Sequence, residues 1–478
     1  MSLLRLSRFG VAILLLAQSG AAFSQAAPPT PAEQTGQTQE QSPGQPADDT
    51  PLPAQNPNGD QGETPAPRGG HVAEMPAPLN IDSSSLEFAG ERTRGSYLRG
   101  GVGVGTSYES NLLSSTSAPV GGLSYSVAPS IEVDISQPRL FVETSYEGGY
   151  TFNQRFSAYN QAEHNALLDL RYRVSPHVNF RVYDRFVLST GFFNQLQGSG
   201  GLGSGPVQQP NLGVITPFTR RTDDLGTAEL TYQYSPSDTV GGSVTGNISA
   251  FAKPPTGATT LLNTLSLEGD AFYSHRFTAR QSSGIAYTFL RLSFDPVSEI
   301  VDTHTILLFH TIHINPNLVI SIFGGPEYTQ FNMTSGATAL GRWSGGGGGT
   351  VNWKLRRTSL RASGTRKVSD GGGLIAAADV TSGLGAIRQQ LTRSSTLELG
   401  VLYAGSHALD PGITSFTDVK VIAGSVQWEQ AIGRNLTATL GFSRDNQKET
   451  ATALALQNTN HNRGWVTIAY RFTRPLGR

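Results

Sequence analysis

The chain contains no cysteine among its 478 residues. Disulfides, thiolate metal ligands and thiol nucleophiles are excluded together. So is the lipid anchor of a bacterial lipoprotein, which is attached through a cysteine. Charge is sparse at 15%, and a formal balance of −1 leaves no whole-chain attraction to nucleic acid. Past the N-terminal leader, no apolar run approaches the roughly 20 residues that a membrane-spanning helix needs. Between Leu98 and Phe472 no convincing amphipathic helix is found either. Glycine is plentiful, at 55 residues, and apolar residues alternate with polar ones.

The N-terminus has a different character. Arg5 and Arg8 precede the apolar run FGVAILLLA, which leads to the small-residue site Ala22-Phe23-Ser24. This is the pattern of a secretory signal peptide over 1–24, with cleavage before Gln25. Residues 25–95 are rich in Pro, Gln and Ala and hold ten acidic residues against three arginines, a net of −7. So little apolar surface cannot offset the entropy of ordering a chain, and the segment reads as a disordered acidic linker. The leader carries Arg5 and Arg8 and the whole chain stands at −1, so the body from Ser96 is left at +4.

The body, 96–478, repeats one unit: a strand, a tight turn, a second strand, a longer loop. Strands are expected near 98–108, 123–135, 139–152, 162–174, 178–189, 225–234, 239–251, 264–274 and 280–294. A second series follows near 301–314, 318–331, 341–355, 358–369, 375–390, 395–405, 416–431, 435–445 and 461–472. Soluble sheets favour strands of about 5–6 residues, whereas a tilted strand crossing a bilayer needs about 9–11. Turn chemistry is strong at SQPR (136–139), SPH (175–177), SPSD (235–238), NPN (315–317) and GRN (433–435). Short turns are expected to alternate strictly with long loops, as in outer-membrane barrels. Ala228, Leu230, Tyr232 and Tyr234 share one face, as do Leu436, Ala438, Leu440 and Phe442. Lipid outside and a polar lumen inside explain such faces. The expected fold is all-β: one antiparallel up-and-down transmembrane β-barrel of about 18 strands. Sixteen is the alternative, because the glycine-rich segments 341–350 and 371–385 are weak strands.

In the hairpin Asp169–Phe186, Leu168, Leu170, Tyr172 and Val174 fall on the lipid side, with Asp169, Arg171 and Arg173 toward the lumen. Asp184 is the misfit: alternation turns it to lipid, unless a bulge shifts the register. In the terminal segment WVTIAYRF, Val466, Ile468, Tyr470 and Phe472 share a face, and TRPLGR follows the aromatic.

The opening GVGVGTSYESNLLSS (101–115), with Tyr108, Glu109, Ser110 and Asn111, resembles the first strand and loop of porin-like outer-membrane β-barrel proteins. The hairpins joined by SPHVNF, SPSDTV and GRNLTA are similar to the periplasmic hairpins of that group. The resemblance implies residence in the bacterial outer membrane, with the N-terminal tail in the periplasm. Implied partners are outer-membrane lipid, the barrel-assembly machinery, and small polar solutes or polysaccharide. Two functions follow: passive passage of small polar solutes through a water-filled lumen, or a role in surface-polysaccharide export or assembly. It implies no enzymatic activity.

No catalytic, cofactor-binding or metal residue is assigned from the sequence. The GxSxG nucleophile motif is absent. The run SGGGGGT (344–350) lacks the Gly-Lys-Ser/Thr ending of a phosphate-binding loop. His304 and His310 share a strand face while His313 falls on the other, which suits interface or lumen histidines better than a metal site. The long loop 190–224 would be the third outer loop, and the resemblance implies that it narrows the lumen. Arg220, Arg221, Asp223 and Asp224 at its end would then face the channel. Arg171, Arg173, Arg181, Arg185 and Glu229 complete the candidate pore lining, and its basic excess suggests a weak anion preference.

Overall fold

The computed structural model describes residues 96–476, apart from 113–118, 158–159, 190–213, 215–218, 253–260, 298, 334–339, 411–415 and 452–456. The expected signal peptide and linker lie outside the described residues. Eighteen strands are present. In the first half they are β1 Ser96–Glu109, β2 Gly122–Ser136, β3 Leu140–Asn153, β4 Gln161–Ser175, β5 Val178–Ser189, β6 Arg221–Gln233, β7 Asp238–Phe251, β8 Asn263–Thr278 and β9 Gln281–Asp295. The second half comprises β10 Glu299–Asn315, β11 Leu318–Met333, β12 Leu340–Lys354, β13 Thr358–Gly371, β14 Ile375–Gln390, β15 Ser395–Ala408, β16 Phe416–Ile432, β17 Leu436–Ala451 and β18 Gln457–Leu476.

Every strand pairs antiparallel with its neighbours in sequence, and β1 pairs with β18 over Ser96↔Leu476 to Glu109↔Arg463. The sheet is therefore a closed up-and-down barrel with no free edge strand. Closure also explains the extra residues after Phe472: Thr473, Arg474, Pro475 and Leu476 continue β18 opposite Arg99 to Ser96.

Turns of two to four residues join the strands at one end, where β1 begins and β18 finishes. The Ser-Pro turn after β4 shows why they are tight: Ser175 Oγ accepts from the backbone N–H groups of His177 and Val178 at 3.2 and 3.1 Å. The other end is less uniform than expected. The connections 110–121, 190–220 and 252–262 are long, but 296–298 and 372–374 are as short as the turns opposite. The alternation of short and long connections is thus not strict. Gly371, Gly372 and Gly373 make the short link at 372–374 possible. Gly372 and Gly373 adopt φ of 67° and 90°, a region that side chains with a Cβ disfavour.

One face of each strand is apolar and open, the other largely polar or tightly covered. On β1 Val102 and Val104 are exposed while Ser107 is buried; on β17 Leu440 and Phe442 are exposed while Ser443 and Asp445 are buried. The covered face lies inside the ring, because its residues touch strands that are not neighbours, as with Lys367 of β13 and Glu268 of β8. Exposed apolar side chains cover the outside from β1 through β18, including Ile131, Tyr172, Leu230, Ile285, Leu308, Val401, Ile422 and Val466.

Candidate functional site: the barrel lumen

Asp169 and seven of the nine candidate lining residues point inward. Asp169 on β4 is buried and accepts from two guanidinium groups. Arg171 Nε lies 3.2 Å from Oδ2, and Arg181 on β5 reaches Oδ1 with Nε at 2.9 Å and Oδ2 with a terminal nitrogen at 3.0 Å. Arg171 and Arg181 stand directly opposite one another in the ladder, so the shared carboxylate offsets their repulsion. Each guanidinium also lies over an aromatic ring, Phe141 for Arg171 and Tyr183 for Arg181. Arg185 is buried one inward position beyond Tyr183, Arg173 is exposed near the turn, and Glu229 of β6 faces Arg181. Arg221 and Asp223 form an inward pair at 2.7 Å, with Ser249 Oγ donating to Asp223 at 2.6 Å.

Two placements correct the sequence reading. Strand β6 begins at Arg221, so Arg221, Asp223 and Asp224 belong to the wall, and only Arg220 remains in the preceding connection. Asp224 sits on the outward face of β6, not in the lumen. It shares that face with Asp184 of β5, on either side of Gly226. The register runs unbroken through Asp184, opposite Leu168 on one side and Gly226 on the other, so no bulge rescues it. The irregularity in this hairpin lies at Arg173/Ser175, beside the turn.

Inward charges that the sequence reading passed over change the balance of the wall. Glu132 and Asp134 of β2 and Glu143 of β3 hold carboxylate oxygens within 4.8 Å of one another. Arg99 of β1 bonds Glu132 and lies 2.6 Å from Asp134, so a guanidinium already engages two of the three carboxylates. Toward the other end, Glu109 faces Arg463 at 3.6 Å, and Asp445 is fully buried opposite His461. The basic patch of β4 and β5 thus adjoins an acidic wall, and the inner surface as a whole does not carry the basic excess from which anion preference was expected. Strand parity applied to every strand would have found these groups. The histidines follow their expected faces: His304 bonds Tyr287 Oη at 2.7 Å and His310 bonds Ser283 Oγ at 2.6 Å.

Between β7 and β12 the inner wall carries an apolar layer. Phe272, Ala286, Leu307 and Phe309 form a buried layer with Phe323 against it. The rings lie where neighbouring strands carry glycine. A Cβ on Gly284 would meet Phe309 at 2.1 Å, and one on Gly348 would meet Phe323 at 2.7 Å. Glycines in these strands make room for rings on the adjacent strand.

The largest departure from a simple cylinder is the β13–β14 hairpin. Strand β13 stays paired with β14 up to Gly371, but its pairing with β12 stops at Arg366↔Gly347. Beyond that point the hairpin tip leaves the wall and enters the ring. The Val368 N–H donates to Glu327 of β11 at 3.4 Å, and Lys367 Nζ reaches Glu268 of β8 at 4.0 Å. Gly373 O accepts from Leu262 N at 2.9 Å. Val368, which alternation would place outside, is buried with Leu290, Leu292 and Val301 from the inner face of β9 and β10. On the tip's other side, Leu374, Ile375, Ala378 and Val380 pack with Ala404, Val419 and Val421 of β15 and β16. Val214 of the connection 190–220 joins this second cluster and is 2% exposed. That connection starts between β5 and β6, so at Val214 the chain has reached the inner wall on the far side of the barrel. Residues 190–213 and 215–218 of the expected constriction lie outside the described residues.

No protein-family model matches the chain, and no curated protein matches it in sequence. Among solved structures it is similar to OccK1 (OpdK) of Pseudomonas aeruginosa, at 8% identity and a TM-score of 0.39, over 79% of this chain and 99% of that one. It is also similar to OpdQ of the same organism, at 10% identity and 0.40, over 80% and 98%. OccK11 (OpdR), again from Pseudomonas aeruginosa, gives 11% identity and 0.40, over 82% and 100%. Likeness at this level carries no argument about activity. The strand number and closure rest on this chain's own pairings.

Proposed function

We propose that this chain is a bacterial outer-membrane barrel that passes small polar solutes passively through its lumen. The observation that carries the reading is the closed ring of 18 strands with an apolar outer face and a charged, hydrogen-bonded inner one. Closure pairs every wall strand on both sides, with the β12 edge beyond Gly347 the exception where the β13 tip turns inward, and such pairing is the condition for spanning lipid. In this reading the turn end, where β1 begins, faces the periplasm, and the preceding tail and signal segment lie on that side. The barrel-assembly machinery would then read Val466, Ile468, Tyr470 and Phe472 on β18. Solutes would pass along the charged wall of β17, β18 and β1–β6, while the β13–β14 tip and the connection carrying Val214 narrow the opposite side.

Conductance of the purified protein in a planar bilayer tests the function. Discrete channel openings are expected. A heat-modifiable, membrane-inserted protein without conductance would overturn the pore, and recovery as a soluble periplasmic protein would overturn the membrane reading itself.

A further inference from the structure

Cations on the outward face near the loop end are elsewhere matched by acids: Arg291 by Asp302 at 2.7 Å, Arg366 by Asp379 at 2.6 Å. Strands β16–β18 break this rule. Lys420 of β16 and Lys448 of β17 are directly opposite one another in the ladder, and Arg444 stands two outward positions below Lys448. All three are exposed, and none has an ion pair or hydrogen bond among the described residues. The closest acid on this face, Asp418, is engaged by His407 Nδ1 at 2.9 Å and Thr417 Oγ1 at 3.2 Å. The adjoining connections 409–415 and 452–456 supply one acid, Asp410, which lies near Glu299 of the inner wall of β10. Beside the cations runs an amide row in which Asn446 Nδ2 donates to Asn458 Oδ1 at 2.9 Å and also to Asn460.

Like charges directly opposite on a sheet repel and destabilise the pair. A pair that makes no ion pair among the described residues is suited to an external anion. Its height specifies which. Immediately below on the same face lie Ile422, Leu440, Phe442 and Val466, all open apolar side chains. The cations therefore stand at the upper edge of the apolar belt, where lipid headgroups meet acyl chains. On the other side of the barrel the outward face of β5 and β6 carries two carboxylates, Asp184 and Asp224, so the anion is drawn to one sector.

We propose that the outward rim of β16–β18 is a docking site for the phosphate groups of a phosphorylated glycolipid in the outer leaflet. Lys420 and Lys448 bind one phosphate between them, Arg444 binds lower, and the asparagine row offers hydrogen bonds to the sugar. The site rests on the outer-membrane reading, and its test separates the two.

The full-length protein, shown to be folded in detergent by heat-modifiable migration, is titrated with phosphorylated lipid A, dephosphorylated lipid A and inorganic phosphate. Bound species are read by native mass spectrometry. Phosphorylated lipid A is expected to bind best. The variant Lys420→Gln/Arg444→Gln/Lys448→Gln should bind it roughly a hundredfold more weakly, about fivefold for each cation at a charged lipid surface. Asp184→Asn, on the other side of the barrel, should bind it as the native protein does. Equal binding by the triple variant, or equal binding of the dephosphorylated lipid or of inorganic phosphate, would overturn the site. Failure of the native protein to insert into bilayers would instead overturn the membrane reading.

Discussion

If the β13–β14 tip is packed in the lumen by burial alone, weakening that burial should open the channel. Ile375 is the test residue, because its side chain is fully buried among Val214, Leu261, Val380 and Val421. Removing a buried Ile side chain to Ala costs about 2–5 kcal/mol. The cost falls on the state with the tip inside, since an undocked tip has the side chain in water. At about 1.4 kcal/mol per tenfold, the ratio of docked to undocked tip should drop by roughly 30-fold to several thousandfold. The wall stays intact, because the β13–β12 and β13–β14 ladders up to Arg366 do not involve the tip. Single-channel recording of Ile375→Ala should show shorter closed dwells and higher mean conductance. Ile387→Ala, outward on the same strand and 40% exposed, should leave both unchanged. If Leu374→Ala/Ile375→Ala still conducts as the native protein does, the tip is a fixed part of the wall and the reasoning fails.

Three further outcomes are expected. Asp169→Asn leaves Arg171 and Arg181 facing each other without their shared carboxylate; with both arginines partly exposed, a loss of about 1–3 kcal/mol is expected in denaturant titration. The same variant should shift the reversal potential toward anions, and no shift would remove these residues from the conduction path. Asp184→Leu and Asp224→Leu place apolar side chains on the outward face and should raise stability by about 0–2 kcal/mol with conductance unchanged. Altered conductance would place those carboxylates in the lumen instead. Gly284→Ala drives a Cβ to within 2.1 Å of both Phe309 and the Tyr273 carbonyl and should destabilise by about 1–3 kcal/mol, whereas Gly246→Ala, with nothing within 4 Å, should be tolerated. Melting of the heat-modifiable band measures both, and equal melting would contradict the ring-over-glycine packing.

The wall was legible in the sequence because each strand had to satisfy two solvents at once. A strand such as TAELTYQY alternates over its whole length, so its parity survives without knowledge of its neighbours. The inward bend of the β13–β14 tip was not legible for the same reason. Alternation around Val368 describes a wall strand equally well, and what removes it from the wall is the end of its pairing with the glycine-rich β12 at Gly347. That is a property of two strands, invisible in either one. The start of β6 was missed because RTDDLG offers polar residues to both faces, so neither parity nor composition distinguishes strand from loop there. Asp184 shows the opposite case. A charge pointing toward lipid looked like a register error, yet the ladder is regular and Asp224 repeats the exception one strand away. Two outward carboxylates stand on adjacent strands, Asp184 level with Leu168 at the middle of β4 and Asp224 two residues nearer the loop end, with Phe186 and Leu188 continuing the outward face beyond Asp184. The apparent misfit is therefore a paired feature of the outward face of β5 and β6 and not a slip in the register.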